Sequence, residues 1–173
     1  MRLGAAHPHD GLAADEHAFT ILIDSHLPGA YRLAYGMLGS APDAEDAVQE
    51  SALHAWRSFG RFRRDAEIRP WLYAIVANQC RTQLRRVRRR KEEGIRSEDS
   101  SPPTFTDPEL MDLKRALDRL PADQRVLIVL RYYLDLPFQE VAAVLRVSPK
   151  AARSRTYRAL ERLRLMPEVL ANE

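Results

Sequence analysis

The stretch from Phe138 to Arg164, FQEVAAVLRVSPKAARSRTYRALERLR, constrains the fold of this chain more than any other. Phe138, Val141, Ala142 and Leu145 fall at i, i+3, i+4 and i+7, one face of a short helix, and the pattern then breaks. Ser148 and Pro149 follow, a hydroxyl suited to an N-cap and the one residue whose missing N–H costs nothing at a first helical position. The second helix predicted there has Ala152, Thr156, Ala159, Leu160 and Leu163 on one face and Lys150, Arg153, Ser154, Tyr157, Arg158 and Arg162 on the other. Two short helices joined by a tight turn, the second polar and cationic outside, match a helix-turn-helix whose recognition helix lies in the major groove. A merely solvated helix presents a similar face, so DNA binding needs support from the rest of the chain.

With 173 residues, 45% of them hydrophobic, the chain can bury one ordinary core or two small ones. Its net charge is only +3, but the charges are segregated along the sequence. Cys80 is the single cysteine, which excludes an internal disulfide and, without a second thiol or a nearby histidine pair, argues against zinc. His7 and His9 flank a proline in what reads as a mobile tail. The first residues lack the apolar core of a secretory signal, and no apolar run is long enough to span a bilayer. The expectation is a soluble, cytoplasmic protein without cofactor or metal.

From Ala14 to Leu38 the pattern is helical, with Phe19, Leu22, Ile23, Tyr31, Ala34, Tyr35 and Leu38 on one stripe and Pro28 and Gly29 expected to kink or divide it. After Gly39, Ser40 and Pro42, Asp43 is read as opening a helix with acids in its first turn. There Ala44, Ala47, Val48, Ala52 and Ala55 can face a core, and Asp46, Gln49, Glu50, Leu53 and Arg57 line the other side. An acidic face carrying an exposed leucine suits docking; simple solvation explains the same spacing. Asp46 and Glu50 share a face, but no histidine, glycine loop or metal-ligand set accompanies them, so they make a poor acid–base pair.

Gly60 to Arg69, GRFRRDAEIR, reads as a basic loop with Phe59, Phe62, Trp71 and Tyr73 at or near its edges. Interleaved rings and arginines suit single-stranded nucleic acid, because bases stack on rings and phosphates pair with cations; the alternative is that Phe59 and Trp71 are mainly core. Pro70 is placed as the first residue of the next helix, with Leu72, Val76, Cys80, Leu84 and Val87 inward and Asn78, Arg81, Arg85 and Arg88 outward. Between Arg81 and Lys91 stand seven basic residues and no acidic one, a run that repels itself unless an anion neutralises it. Glu92 to Glu109 then holds six acidic residues and three prolines with no periodicity, a linker. Beyond it Asp107 is a candidate N-cap for a helix starting at Pro108 with Leu110, Leu113, Leu117 and Leu120 on one stripe. Pro121 ends that helix and opens another carrying Val126, Leu127, Leu130, Tyr133 and Leu134. No strand alternation and no phosphate-binding glycine loop occurs. The expected fold is all-α: a tail over 1–16, a helical domain over 17–91, a linker over 92–107, a helix-turn-helix domain over 108–167 and a short tail over 168–173.

This order of modules resembles the extracytoplasmic-function sigma factors of bacterial RNA polymerase. DAEDAVQESALHAW is similar to the family's A-E-D-x-x-Q-E helix, WLYAIVANQCRTQLRR to its W-L-x-x-I-A-x-N helix ending in arginines, and LPADQRVLIVLRYY leads into the helix-turn-helix. The resemblance implies a non-enzymatic specificity subunit that binds core polymerase through the clamp helices of its largest subunit and through the beta flap. By position it implies docking through Asp46, Gln49, Glu50 and Leu53. It implies capture of the opened minus-ten strand by Phe62, Arg63, Arg64, Trp71, Asn78, Arg81 and Arg85. It implies recognition of the minus-thirty-five duplex by Lys150, Arg153, Ser154, Arg155, Tyr157 and Arg158. It also implies an anti-sigma partner, which can hold the chain at the membrane without direct membrane contact, and a linker running near the RNA path.

Three positions depart from the family pattern. Arg146 stands where glycine is frequent, and a left-handed residue there costs about 1 kcal/mol. Lys150, Ala151 and Ala152 replace G-T-V at the start of the recognition helix, so the target bases do not transfer, and Thr82 replaces a frequent aspartate. Two other classes compete: a helix-turn-helix regulator dimerising through its N-terminal helices, which leaves Gly60 to Lys91 unexplained, and an enzyme, for which no site is visible.

Overall fold

The computed structural model describes residues 8–63, 65–93 and 108–166, which form eight α-helices and no strand. The first four are α1 (Pro8–Asp24), α2 (Leu27–Leu38), α3 (Ala41–Ser58) and α4 (Ile68–Glu92); the second four are α5 (Pro108–Arg119), α6 (Ala122–Ile128), α7 (Phe138–Leu145) and α8 (Pro149–Arg164). The expected linker lies outside the described residues from 94 to 107, as do Asp107, the start of the N-terminal tail and the C-terminal tail. Helix α1 is already formed at Pro8 and so takes in the second half of the segment read as a tail.

Each boundary has a local cause. The long N-terminal pattern divides after Asp24, and Pro28 falls in the first turn of α2, where no backbone donor is lost. Helix α2 stops at Gly39, whose φ of 69° is left-handed and whose N–H donates to Tyr35 O at 2.7 Å. Helix α3 starts before Asp43, because Ser40 caps it and its hydroxyl accepts from the Asp43 N–H at 3.4 Å. Helix α4 likewise starts two residues before Pro70, at Ile68. Helix α6 runs into a π-helical turn over Val129–Tyr133, with the Leu134 N–H donating to Val129 O at 2.9 Å.

Helices α2, α3 and α4 pack through small side chains that let their axes approach closely. Ala30, Leu33, Ala34 and Met37 of α2 meet Ala44, Ala47 and Ala55 of α3 and Leu72, Val76, Ala77 and Cys80 of α4, all but Leu72 fully buried. Phe19 and Ile23 of α1 close one end, the Phe19 ring lying 5.3 Å from Trp56 and 5.1 Å from Phe59. In the second unit, α5, α6 and α8 enclose Ala116, Leu120, Ile128, Ala159 and Leu163. The opposite side of that unit, through Val126, Val129, Leu130, Val141 and Val144, joins the core of the first.

Four residues expected on apolar stripes are exposed instead: Leu22, Val87, Leu113 and Tyr133. Val87 lies where α4 runs past the body it packs on, and the π turn directs Tyr133 outward beneath the Arg32 guanidinium. Burial of an arginine went unforeseen. Arg125 is 5% exposed, and its Nη1 donates to Met37 O (2.7 Å) and Asp118 Oδ1 (3.0 Å) while Nη2 donates to Asp118 O (2.7 Å). Burial lowers its pKa and Asp118 opposes that shift.

Arg125→Ala leaves the buried Met37 carbonyl without this donor, and urea unfolding should show a loss of about 2 kcal/mol; an unchanged midpoint would contradict that role. Burial pushes the Cys80 thiol from 9.0 up to about 12. A thiol that ionises earlier in the unfolded chain favours folding fully below its unfolded pKa and loses that contribution as pH rises toward the folded one. Wild-type protein should therefore lose more stability above pH 9.0 than Cys80→Ala does, as read by denaturant melts along a pH series.

Candidate nucleic-acid interface

Three surfaces carry the residues singled out in the sequence. The first is the outer face of α8. Ser148 caps the helix by accepting from the Ala151 N–H at 3.2 Å, and Pro149 opens it. Ala152, Thr156, Ala159 and Leu163 are buried against α6 and α7, with the Thr156 hydroxyl donating to Ala152 O at 2.8 Å. That anchoring turns Lys150, Arg153, Ser154, Arg155, Tyr157 and Arg158 to solvent together. The Tyr157 ring lies 6.1 Å from Phe138 on α7, and the Arg153 guanidinium stands 5.6 Å over it. The tyrosine thus ties the recognition face to the first helix of the motif.

The turn between α7 and α8 settles the question raised by Arg146. Its φ is 54° and ψ 47°, the left-handed conformation. The turn closes through the Arg146 N–H to Ala143 O (3.3 Å) and the Val147 N–H to Ala142 O (3.0 Å).

The second surface runs from the loop after α3 along α4. Phe62 in the loop and Trp71 on α4 come together at 4.8 Å with their rings tilted 48°, and Phe59 stacks near-parallel to Phe62 at 6.2 Å. Both Phe62 and Trp71 are half-buried, leaving part of each ring at the surface. Arg63 is drawn into a pair with Asp65 at 2.7 Å, and this bond holds the Asp65 carboxyl below its usual range. Arg64 lies outside the described residues. Along α4 the side chains are linked in sequence: Arg81 Nη1 donates to Asn78 Oδ1 (3.0 Å), the Thr82 hydroxyl to Asn78 O (3.0 Å) and Arg85 Nη2 to the Thr82 hydroxyl (3.1 Å). Thr82 therefore steadies Arg85 where an aspartate would neutralise it. Residues 85 to 90 are exposed, while Arg81 is only 19% exposed, with Nε 2.8 Å from Asp123 Oδ1. Arg88 pairs with Glu92 at 2.9 Å and Arg89 with Glu93 at 3.6 Å, so the first linker acids offset part of the basic run.

Beside this row a cleft of about 460 Å³ opens between α3 and α4, lined by Ser51, His54, Arg57, Ser58 and Arg61 on one wall and Ile75, Asn78, Gln79 and Thr82 on the other. Sequence reading missed His54 and Arg61, and had set Arg57 on the docking side of α3 and not in a cleft. The available signal was the polar recurrence at 51, 54, 58 and 61, one helical stripe adjoining the acidic face. Its walls offer two guanidiniums, hydroxyls and two carboxamides, a donor and acceptor set suited to a planar polar group beside a phosphate.

The third surface is the outer face of α3. Asp46, Gln49 and Leu53 are exposed, opposite the buried alanines, and Glu50 is half-buried with Oε1 3.6 Å from His54 Nε2. Among the described residues no group of three or more His, Cys, Asp or Glu side chains could hold a metal ion, and no helix is long and apolar enough to cross a membrane.

These surfaces sit in a chain whose residues 22–90 match the model of Sigma-70 region 2 and whose residues 110–163 match that of Sigma-70 region 4. It is similar to the ECF RNA polymerase sigma factor SigM of Mycobacterium tuberculosis, at 34% identity over 155 residues, 88% of this chain and 78% of the relative. It is also similar to the RNA polymerase sigma factor CarQ of Myxococcus xanthus, at 34% identity over 154 residues, 86% of this chain and 88% of the relative. Among solved structures, it resembles the sigma factor RpoE of Bartonella quintana in its complex with the anti-sigma factor NepR. There the TM-score is 0.67 and the identity 28%, over 89% of this chain and 97% of the other. The sigma factor family seen first in its motifs is thus confirmed: the chain belongs to the extracytoplasmic-function sigma factors, which are transcription initiation factors.

The strained turn supplies a test. Arg146→Gly removes the left-handed penalty and should raise stability by roughly 0.5–1 kcal/mol. Circular-dichroism melts that show destabilisation instead would place a compensating interaction at the Arg146 side chain.

Proposed function

We propose that this chain binds core RNA polymerase and directs it to promoters, reading an upstream duplex with α8 and holding the opened minus-ten strand along α4. The observation that carries this reading is the pairing, in one chain, of an open cationic recognition helix with a separate ring-and-arginine surface. Duplex recognition needs a rigid helix whose side chains reach base edges, and α8 offers six outward polar residues on a capped, buried-backed helix. A single strand needs rings for bases and a row of cations for phosphates. Phe62 against Trp71 supplies the rings, and Asn78, Arg81 and Arg85 supply the row. The cleft between α3 and α4 would take an unstacked base, with Asn78 and Gln79 facing its polar edge and Arg57 or Arg61 its phosphate.

The outer face of α3, through Asp46, Gln49, Glu50 and Leu53, would dock on the polymerase clamp, leaving the minus-ten surface turned toward DNA. Arg63 would first have to leave Asp65 to reach a phosphate. The acidic linker, outside the described residues, would run through the polymerase near the RNA path, its acidity standing in for nucleic acid. The chain performs no chemistry in this scheme and needs no cofactor. It works in the cytoplasm, and an anti-sigma factor regulates it.

Transcription reconstituted with core polymerase and a promoter library tests the assignment. Arg153→Ala should relax upstream base preference by about 1–3 kcal/mol per contact while core affinity is kept. Asp46→Lys should weaken core binding and leave that preference alone. A chain that gives no specific transcripts, or both substitutions abolishing the same step, would overturn the reading in favour of a regulator acting without polymerase.

A further inference from the structure

The outer face of α8 is braced from outside its own helix. Arg131, in the π turn that ends α6, donates from Nη1 to Asp135 Oδ1 at 2.9 Å and to Leu136 O at 3.4 Å, and Asp135 takes a left-handed φ of 52° where the chain turns toward α7. So held, the Arg131 guanidinium lies 5.5 Å from the centre of the Phe138 ring at the start of α7. Phe138 in turn stands 6.1 Å from Tyr157 of α8 with the rings tilted 54°, and the Arg153 guanidinium lies 5.6 Å over the Tyr157 ring. Two rings thus stand in a row with a cation at each end.

The apolar core does not require this row. Asp135, Arg153 and Tyr157 are exposed, Arg131 and Phe138 are half-buried, and α8 is anchored through Ala152, Thr156, Ala159 and Leu163 without them. Exposed side chains on a helix move among rotamers, and stilling one on binding costs entropy. A ring held by a neighbour on another helix gives up that freedom in advance, and so does a guanidinium resting on a ring. The guanidinium is flat and carries its N–H groups at its rim, so stacking one face leaves the fork free for a purine edge. Among the described residues Lys150, Arg155 and Arg158, the other cations of that face, have no ring beneath them. Arg153 alone is prepared in this way.

We propose that Arg131 and Phe138 are positioning residues for base reading: through Tyr157 they hold the Arg153 fork toward the groove, so that preference at the base pair Arg153 meets is set in part by α7 and the turn before it. The proposal rests on the reading of α8 as the duplex-reading helix. The base it favours is guanine, whose O6 and N7 accept two parallel N–H bonds. Arg131 acts across two rings and needs no contact with DNA in this role.

Binding selections with the full-length chain in complex with core polymerase, on duplexes randomised upstream, test this. Arg153→Ala identifies the base pair concerned by relaxing preference there. Phe138→Leu keeps an apolar side chain but removes the ring, and should relax preference at that same pair roughly 3–10-fold while preference elsewhere is kept. Phe138→Tyr should restore it. In the Arg153→Ala background Phe138→Leu should change nothing further at that pair, a coupling that a general loss of stability would not produce. Arg131→Gln should act as Phe138→Leu does, with the salt dependence unaltered. Preference kept at that pair in both Phe138→Leu and Arg131→Gln would overturn the positioning role. So would a uniform loss across all sequences in Arg131→Gln with the salt slope reduced by about one, which would make Arg131 a phosphate contact. If Arg153→Ala itself relaxes no base pair, the positioning role falls together with the duplex reading of α8, and the fault lies in the latter.

Discussion

The approach of α2 to the π turn after α6 is the contact on which the architecture depends. At Gly36 there is no side chain, and Val129 and Tyr133 occupy the space one would need. That vacancy lets α2 serve two bodies at once, with α3 and α4 on one side and the second unit on the other. Met37 marks the junction: its side chain is fully buried and its carbonyl accepts from the buried Arg125 of α6. A charge placed inside the seam is tolerated because its hydrogen atoms meet carbonyls and Asp118, although its Nε has no partner.

Because backing and display are separated residue by residue, the same helices hold the fold together and present cations. Helix α8 commits Ala152, Thr156, Ala159 and Leu163 to its packing, with Leu160 half-buried beside them, and Arg153, Ser154, Arg155, Tyr157 and Arg158 to the surface. Helix α4 does likewise over its first half and then extends beyond the body, which is why residues 85 to 90 remain in solvent. A run of arginines there is stable only with counter-charge, and the structure supplies some from Glu92 and Glu93. The remainder is left for a polyanion.

Much of this was legible in the sequence because helical periodicity and capping are local. Ser148 and Pro149 announced α8, and the residues expected on its buried and open faces are the ones found there. The buried position of Cys80 followed from the same spacing. What periodicity could not show was whatever depends on a neighbour distant in sequence. Leu22, Val87, Leu113 and Tyr133 sit on apolar stripes but have no partner to cover them fully. Leu33 and Met37 form the deepest part of α2, yet the aromatic residues beside them drew the stripe toward Tyr31 and Tyr35, which stack at the flank. The packing of the two units on one another, the burial of Arg125 and the cleft between α3 and α4 are tertiary facts of the same kind. Periodicity did reach the row on α4: spacing alone set Asn78, Arg81 and Arg85 on one side of the helix, where hydrogen bonds through Asn78 and Thr82 now link them.

The central claim is that paired and unpaired DNA are held by different units of a single helical chain. It is tested most directly by replacing Phe62 and, separately, Arg153 with a photo-crosslinking residue in the polymerase complex on promoter DNA. The account predicts that position 62 labels one strand only after the duplex opens, and that position 153 labels upstream duplex before and after opening. Labelling of closed duplex from position 62, or of the melted strand from position 153, would contradict it.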